Sequence, residues 1–443
     1  MLAGVVDFGI DCRSPSLDPA VIVVWDQTRD IGGLPHEWRG CTLTGDDRLL
    51  CRDPSWHGSN VAAVLAGRGN PTGFAPDADL AVVVGDGSFA SVVQGVAWIF
   101  DLADQMHMPA VVNLSLGGDH LDPHDGNDEL SVALDDLTGP GRLIVAAAGN
   151  DRGTALHAQA SIAAQTAHRF PFVRIAPEPL PASIAMNDAA LAVYGGVDAP
   201  FSLRLCAGRR GSDEVLDTSP LVPVGGSGRF RVGGRDVRID NRGEPLSRRA
   251  AARVTIETDA SHPPTEFTYW WLEVTAGEQS IDVDVWSREN TAWFSQFDRP
   301  SIDDELVPAA EAVETVMLGR PASAHSVITV AAYDDRPDTP AAMCHFSNLG
   351  PTADGREKPH VVAPGMRVES VGPDPVDGTS FAAPMVSGTV AGLLQWRGDL
   401  QPEEVVALLK SAAFSPIGLN TFSPEWGHGV VNATSIKSVI GLS

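Results

Sequence analysis

The chain has 443 residues, 43% hydrophobic and 20% charged, with 31 basic against 57 acidic residues and a formal net charge of −26. That balance suits a globular protein of two or three domains and excludes a disordered chain. The acidic excess makes nucleic acid and anionic membrane poor partners, favours basic peptides or cations, and above all gives solubility; no apolar run is long enough to span a bilayer.

At the N-terminus Asp7, Asp11 and Arg13 interrupt any apolar stretch, so residues 1–25 do not read as a secretion signal. The cysteines at 12, 41, 51, 206 and 344 are odd in number, scattered and without CxxC spacing. This speaks against a disulfide framework or zinc site and for a reducing compartment. The expected location is cytoplasmic, or secreted if the natural start lies upstream, where a Cys41–Cys51 bridge would be available.

Leu2–Val6, Ala20–Val24, Leu80–Val84, Ala110–Leu116 and Leu143–Ala148 read as buried strands, and Gly58–Ala66, Ser91–Gln105 and Asn127–Leu137 as helices. The alternation predicts a mostly parallel α/β sheet. The texture changes near residue 155. Pro-rich turns (Pro177, Pro179, Pro181; Pro220, Pro223; Pro263, Pro264) and Gly-rich turns separate alternating runs at Arg235–Asp240, Arg253–Thr258, Tyr269–Thr275 and Ser280–Trp286. These predict an antiparallel β-sandwich over 155–320, with Trp270, Trp271, Trp286 and Trp293 as core candidates. The α/β pattern resumes at Val327–Ala332 and His360–Ala363. Helices follow at Ser380–Trp396 and Pro402–Ala413. The expected architecture is one catalytic α/β domain, 1–154 and 321–443, carrying an inserted β domain, 155–320.

The run from Ser380 to Trp396 is apolar on all sides, so its helix is expected to be buried. Ser380 falls at or near its start, either as an ordinary N-cap or as a group placed beside free N–H donors that would stabilise an oxyanion. Pro384 is expected in the first turn, and Gly388 and Gly392 at close approaches of another element.

Ligand sites of parallel sheets gather beyond the carboxyl ends of the strands. Asp7 ends the first strand, Asn150 follows the strand 143–148, Asn113 lies in its strand ahead of Ser115-Leu116-Gly117, and His57 opens a helix. Acyl transfer needs a hydroxyl nucleophile, a base to take its proton, a carboxylate to hold the base, and donors for the oxyanion. Ser380, His57, Asp7 and Asn150 supply those types. Singly, each also reads as a turn, cap or helix-start residue.

Together they resemble the subtilases, the subtilisin-like serine peptidases. The resemblance rests on Val5-Val6-Asp7-Phe8-Gly9-Ile10-Asp11, His57-Gly58-Ser59-Asn60-Val61-Ala62, Val112-Asn113-Leu114-Ser115-Leu116-Gly117, Ala147-Ala148-Gly149-Asn150, Lys358-Pro359-His360-Val361-Val362-Ala363-Pro364-Gly365 and Gly378-Thr379-Ser380-Phe381-Ala382-Ala383-Pro384, in that order. It covers residues 1–154 and about 321–443. It implies a three-layer fold and a serine endopeptidase acting through an acyl-enzyme: Asp7 the acid, His57 the base, Ser380 the nucleophile, Asn150 the oxyanion donor. Ser115, Leu116 and Gly117 would pair with extended substrate, and Ala148 and Gly149 would wall its primary pocket. No cofactor is required for that chemistry and no metal ligand set is expected.

The chain also departs from the family. Phe8 replaces the usual small hydroxyl residue, Asn60 a second histidine, and Met385 a frequent histidine. The acid stands at residue 7, where the family usually carries a preceding pro-segment; the expectation is an upstream natural start, unaided folding or a helping partner. The long interval from Asn150 to Ser380 resembles the jelly-roll insertion of spore-germination subtilases, where an insert would restrict access, stiffen the core or dock a protein partner. Asp151 would favour a basic P1 residue if it faced the pocket, the plainer reading being a solvated acid. Asp119–Glu129 is rich in acids and His120 and His124 but lacks EF-hand spacing, so structural calcium there is unsupported. His157 reads as a polar loop residue or a cleft border. Two rival readings are a catalytically silent scaffold whose insert binds a partner, and a hydrolase of non-protein esters or amides.

Overall fold

The computed structural model describes residues 1–29, 40–174, 188–208, 214–257, 269–288, 292–294, 310–337 and 339–441. The chain forms two compact units. One comprises Met1–Gly117, Glu129–Asn150 and Arg320–Ser443; the other comprises Gly118–Asp128 and Asp151–Gly319.

The first unit contains strands β1 (Leu2–Asp7), β2 (Val21–Asp26), β3 (Cys41–Thr44), β4 (Asp79–Val84), β5 (Ala110–Leu114) and β6 (Arg142–Ala147), with helices α1 (His57–Ala66), α2 (Phe89–Gln105) and α3 (Glu129–Leu137). The second unit supplies β7 (His157–Ile162), β8 (Ala167–Arg174), β9 (Ala189–Val197), β10 (Phe201–Gly208), β11 (Val215–Thr218), β12 (Ser227–Val232), β13 (Arg235–Asp240), β14 (Arg249–Ile256), β15 (Tyr269–Ala276), β16 (Ile281–Ser287) and β17 (Ala292–Trp293). The chain then returns to the first unit through β18 (Ile328–Asp334), β19 (Ala342–Met343), β20 (Val361–Pro364), α4 (Thr379–Trp396), α5 (Pro402–Ala412) and α6 (Ala433–Val439).

Among the described residues the first unit's sheet runs β19-β18-β6-β5-β1-β4-β2-β3, with β20 also on β18. From β18 to β2 all neighbours are parallel; β3 and β19 are antiparallel at the edges. Successive side chains of a strand point to opposite faces. Ala3 and Val5 enter the core shared with α1 and α4, while Leu2 and Val6 enter the core shared with α2 and α3. With both faces covered, the strand sequences have no polar side to show, which is why they read as continuous apolar runs. The same two-residue period decides where polar residues go. Asp7 follows Val5 and Asn113 follows Val111, so both point into the α1/α4 layer.

Helix α4 starts one residue before Ser380. Gly378 is its N-cap, and Ser380 is its second residue rather than its cap. Pro384 is therefore the sixth residue, in the second turn and not the first, because the helix begins at Thr379. Gly388 does allow a close approach: a Cβ there would lie 2.4 Å from the Phe74 Cβ. Gly392 does not, since a Cβ there meets nothing within 4 Å, on the helix's exposed side.

The second unit has two antiparallel sheets, β11-β10-β15-β8-β17 and β12-β13-β14-β9-β16-β7. They sandwich one core built mainly from Val, Leu, Ile, Phe and Ala. Trp270 lies in it. Trp271 is buried on the other face of β15, one residue out of phase, and Trp286 sits in a separate cluster with Leu121, Leu156 and Tyr194. Small branched side chains fill an alternating inner face better than consecutive indoles, which cannot share it. Pro177, Pro179, Pro181, Thr258, Pro263, Pro264 and the Trp293 side chain lie outside the described residues.

Segment 118–128 is part of this second unit. His120, Asp122, His124, Asp125 and Asp128 are buried, and His120, His124, Trp286 and His157 form one stack with centroid spacings of 5.4, 4.3 and 4.5 Å. Asp151 is not a solvated acid awaiting substrate; its carboxylate lies 2.9 Å from His120 Nε2. His157 is neither a loop residue nor a cleft border. It opens β7, fully buried, with Nε2 3.0 Å from Asp284 and Nδ1 2.8 Å from the Thr315 carbonyl. Among the described residues no group of three or more His, Cys, Asp or Glu is arranged to hold a metal ion. All five cysteines are free, Cys41 and Cys51 included. No helix among the described residues is long and apolar enough to cross a membrane.

Lys358 braces the chain where it re-enters the first unit. Its Nζ is buried and donates to the carbonyls of Ala322 (3.0 Å), Ala324 and Val327 (2.7 Å) and to Thr329 Oγ1 (3.2 Å). Burial holds its pKa well below the ordinary lysine value. Lys358→Met fills much of the same space but removes the donor of the Val327 carbonyl and leaves the Ala322 and Ala324 carbonyls with only Thr329 Oγ1 and Arg356 Nη1. We expect it to lower stability by about 3 kcal/mol, seen as a fall in the urea midpoint with an unchanged slope.

Candidate active site

The site lies at the carboxyl ends of β1, β5 and β6, the edge of a parallel sheet where ligands generally bind. Asp7, the last residue of β1, is 2% exposed. Its Oδ1 accepts the Phe8 N–H at 2.8 Å, and its two oxygens lie 3.0 and 2.9 Å from His57 Nδ1. His57 is the first residue of α1, with a side chain 29% exposed. Asp7 and His57 come together because α1 crosses β1 closely. A Cβ on Gly58 would lie 2.1 Å from the Gly9 carbonyl oxygen and 3.0 Å from the Asp7 Cβ, so only glycine fits behind His57.

The start of α1 is held by residues that sequence reading passed over. Asp53 Oδ2 accepts the Ser59 N–H at 2.8 Å, satisfying a first-turn donor of the helix. Its Oδ1 accepts from Ser55 Oγ at 2.8 Å, and Ser55 Oγ accepts the His57 N–H at 3.2 Å. An Asp and a Ser just ahead of an apolar helical run are a helix-start signal that would have flagged them. Between Ser55 and His57, Trp56 takes φ 61° and ψ 2°, a left-handed conformation costing a non-glycine residue about 1 kcal/mol or more. The strain sits next to the base.

Burial disfavours the charged imidazolium of His57, but the hydrogen bond and charge of Asp7, with the charge of Asp53, outweigh it. The His57 pKa is raised above 6.5.

Ser380 is 9% exposed. Among the described residues its hydroxyl hydrogen-bonds to the Ser115 carbonyl at 3.4 Å, and not to His57. The His57 ring does reach α4, packing against Phe381 with centroids 5.7 Å apart. The structure thus joins His57 to Asp7 and places the His57 ring against α4, while no His57–Ser380 hydrogen bond is formed. Such bonds tighten on substrate binding.

Asn150 is anchored on the same helix start. Its Oδ1 accepts the Thr379 N–H at 2.9 Å and the Thr379 hydroxyl at 3.0 Å. The Thr379 hydroxyl also accepts the Gly149 N–H at 3.1 Å. With the oxygen so committed, the two Nδ2 protons are turned away from Thr379 and left to serve as donors. Thr379, like Asp53 and Ser55, is a residue that sequence reading did not single out. Ala148 is buried and Gly149 has φ 103°. Beyond β5, residues 115–117 leave the ladder, and among the described residues Leu116 and Gly117 make no backbone hydrogen bond.

Residues 2–188 and 276–431 match the Subtilase family. The chain is 33% identical over 141 residues to the serine protease AprX of Bacillus subtilis, a stretch covering 26% of this chain and 30% of that protein. It is 34% identical over 121 residues to a thermostable alkaline protease of Halalkalibacterium halodurans, covering 24% and 31%. The matched stretches span less than a third of these relatives. The fold is that of the Clostridium perfringens CspB protease, at TM-score 0.79 and 21% identity over 99% of this chain and 93% of that one.

The geometry sets the titration of the base. NMR of the His57 ring protons should give a midpoint above 6.5, and Asp7→Asn should bring it down by removing the largest interaction that favours the charged form. The sign for stability follows. The pair's contribution is fully present below the unfolded histidine value of about 6.5 and is lost as pH rises through the folded value.

Proposed function

The chain belongs to the subtilase family, and from that membership we propose that it is a serine endopeptidase working through an acyl-enzyme on Ser380. The observation that carries the reading is convergence on the start of α4. His57 is hydrogen-bonded to buried Asp7 and packs against Phe381, and Asn150 is fixed to Thr379, the residue before Ser380.

In the proposed reaction the Ser380 hydroxyl turns from the Ser115 carbonyl toward His57 and attacks the scissile carbonyl. His57 Nε2 takes the proton, and Asp7 holds the Nδ1 proton and stabilises the imidazolium. The oxyanion forms between the Ser380 N–H, one of the unpaired donors of the helix start, and Asn150 Nδ2. His57 then gives its proton to the leaving amine, and water, activated by the same base, releases the acyl group. The unpaired backbone at Leu116 and Gly117, next to Ser115, favours an extended peptide over a compact ester, because pairing there is with a peptide main chain.

A fluorophosphonate probe tests the nucleophile. The purified chain should be labelled and Ser380→Ala should not; a folded wild-type sample that takes no label would sink the reading. Asn150→Ala should lower kcat about 10²- to 10³-fold, with KM little changed. Because the base acts when neutral, kcat/KM on a peptide substrate should rise with pH through a value above 6.5.

A further inference from the structure

We propose that Ser115 is a positioning residue for the nucleophile: its hydroxyl supplies the hydrogen bond that Pro384 takes away from the Ser380 carbonyl. The proposal rests on Ser380 being the nucleophile. In an α-helix the carbonyl of residue 380 would accept the N–H of residue 384. Residue 384 is proline and has none. An orphaned buried carbonyl is costly, and one at the nucleophile would be free to tilt with the residue. Ser115 Oγ, 4% exposed as a residue, donates to that carbonyl at 2.6 Å.

The donation has a fixed direction. The Ser115 hydroxyl has one proton, given to Ser380, so it must accept from its other neighbour. Asn113 Nδ2 donates to it at 2.9 Å, which turns Asn113 Oδ1 away to face Ser387 Oγ, also at 2.9 Å, whose one proton is shared with the Ala383 carbonyl at 3.0 Å. Asn113 and Ser387 are both 0% exposed. The path leaves α4 at Ser387, crosses to the end of β5 and re-enters α4 at Ser380. It is a buried loop of hydrogen bonds that fixes the Ser380–Phe381 peptide plane against the sheet. Through it Ser115 sets the direction of the Ser380 side chain and N–H together. That role belongs to its side chain, apart from any pairing of its backbone with substrate.

The test restores the missing N–H. Three variants of the full chain, Ser115→Ala, Pro384→Ala and the double, are compared with wild type for fluorophosphonate labelling rate and for kcat and KM on a peptide substrate, with thermal melts as folding control. Ser115→Ala should slow labelling and kcat by about tenfold to a hundredfold. Pro384→Ala alone should stay near wild type, and the double variant should recover most of the loss, since residue 384 again donates to Ser380. The small probe does not use the 115–117 backbone, so its rate separates positioning from substrate pairing. Undiminished labelling of Ser115→Ala, a loss confined to KM, or a double variant as slow as Ser115→Ala would each overturn the proposal. If Ser115→Ala fails to fold, a folded and active double variant upholds the proposal and an unfolded double overturns it. Absence of labelling in folded wild type overturns both this inference and the nucleophile reading; normal wild-type labelling with any of the negative outcomes overturns this inference alone.

Discussion

The N-terminus of α4 is buried, and a buried helix start cannot leave its polar groups bare. Much of the site follows from meeting that demand. The Thr379 N–H needs an acceptor and takes Asn150 Oδ1, which aims the other side of the Asn150 amide. The Ser380 carbonyl, deprived of its helical donor by Pro384, takes Ser115 Oγ. Asn113 and Ser387 complete the circuit. What remains is the Ser380 N–H, beside a hydroxyl held only by a 3.4 Å bond to the Ser115 carbonyl; these are the groups that acyl transfer would use. Satisfying the backbone and preorganising the site are therefore one requirement here, not two.

A second demand comes from charge. Asp7 is nearly inaccessible, and a buried carboxylate is tolerated only with donors about it. It has the Phe8 N–H and the His57 ring. Phe8 offers no side-chain hydroxyl, so its contribution to Asp7 is the main-chain N–H. His57 pays for this arrangement with a raised pKa, and its helix start needs Asp53, Ser55 and a left-handed Trp56 to hold it.

The second unit solves the same problem with different means. Glu273, 5% exposed at the middle of β15, is bracketed by Arg204 and Arg169 on the two neighbouring strands, at 2.7 and 2.8 Å. Asp284 is answered by His157, Gln159 and Arg249. Buried acids such as Glu273 and Asp284 are thus paired, consistent with a net charge that promotes solubility without disrupting the core they line.

Much of this was legible along the chain. The strands of the first unit declare themselves because both of their faces are buried, leaving only apolar residues for five positions at a time. The order of short motifs around Asp7, His57, Asn150 and Ser380 carries the family. Less could be read where meaning depends on phase between distant segments. Whether Pro384 lies in the first or second turn depends on where α4 begins, which Gly378 and the Asn150–Thr379 contact decide. Gly388 and Gly392 look alike in sequence, yet only Gly388 faces Phe74. His120 and His157 look like loop residues because nothing local shows the core that closes over them. The residue types at the site, and so the chemistry open to it, were set by the sequence alone. Which of their atoms meet, and that the Ser380 carbonyl is held by a hydroxyl 265 residues away, only the tertiary structure decided, because hydrogen bonds between remote strands and helices leave no period in the chain that makes them.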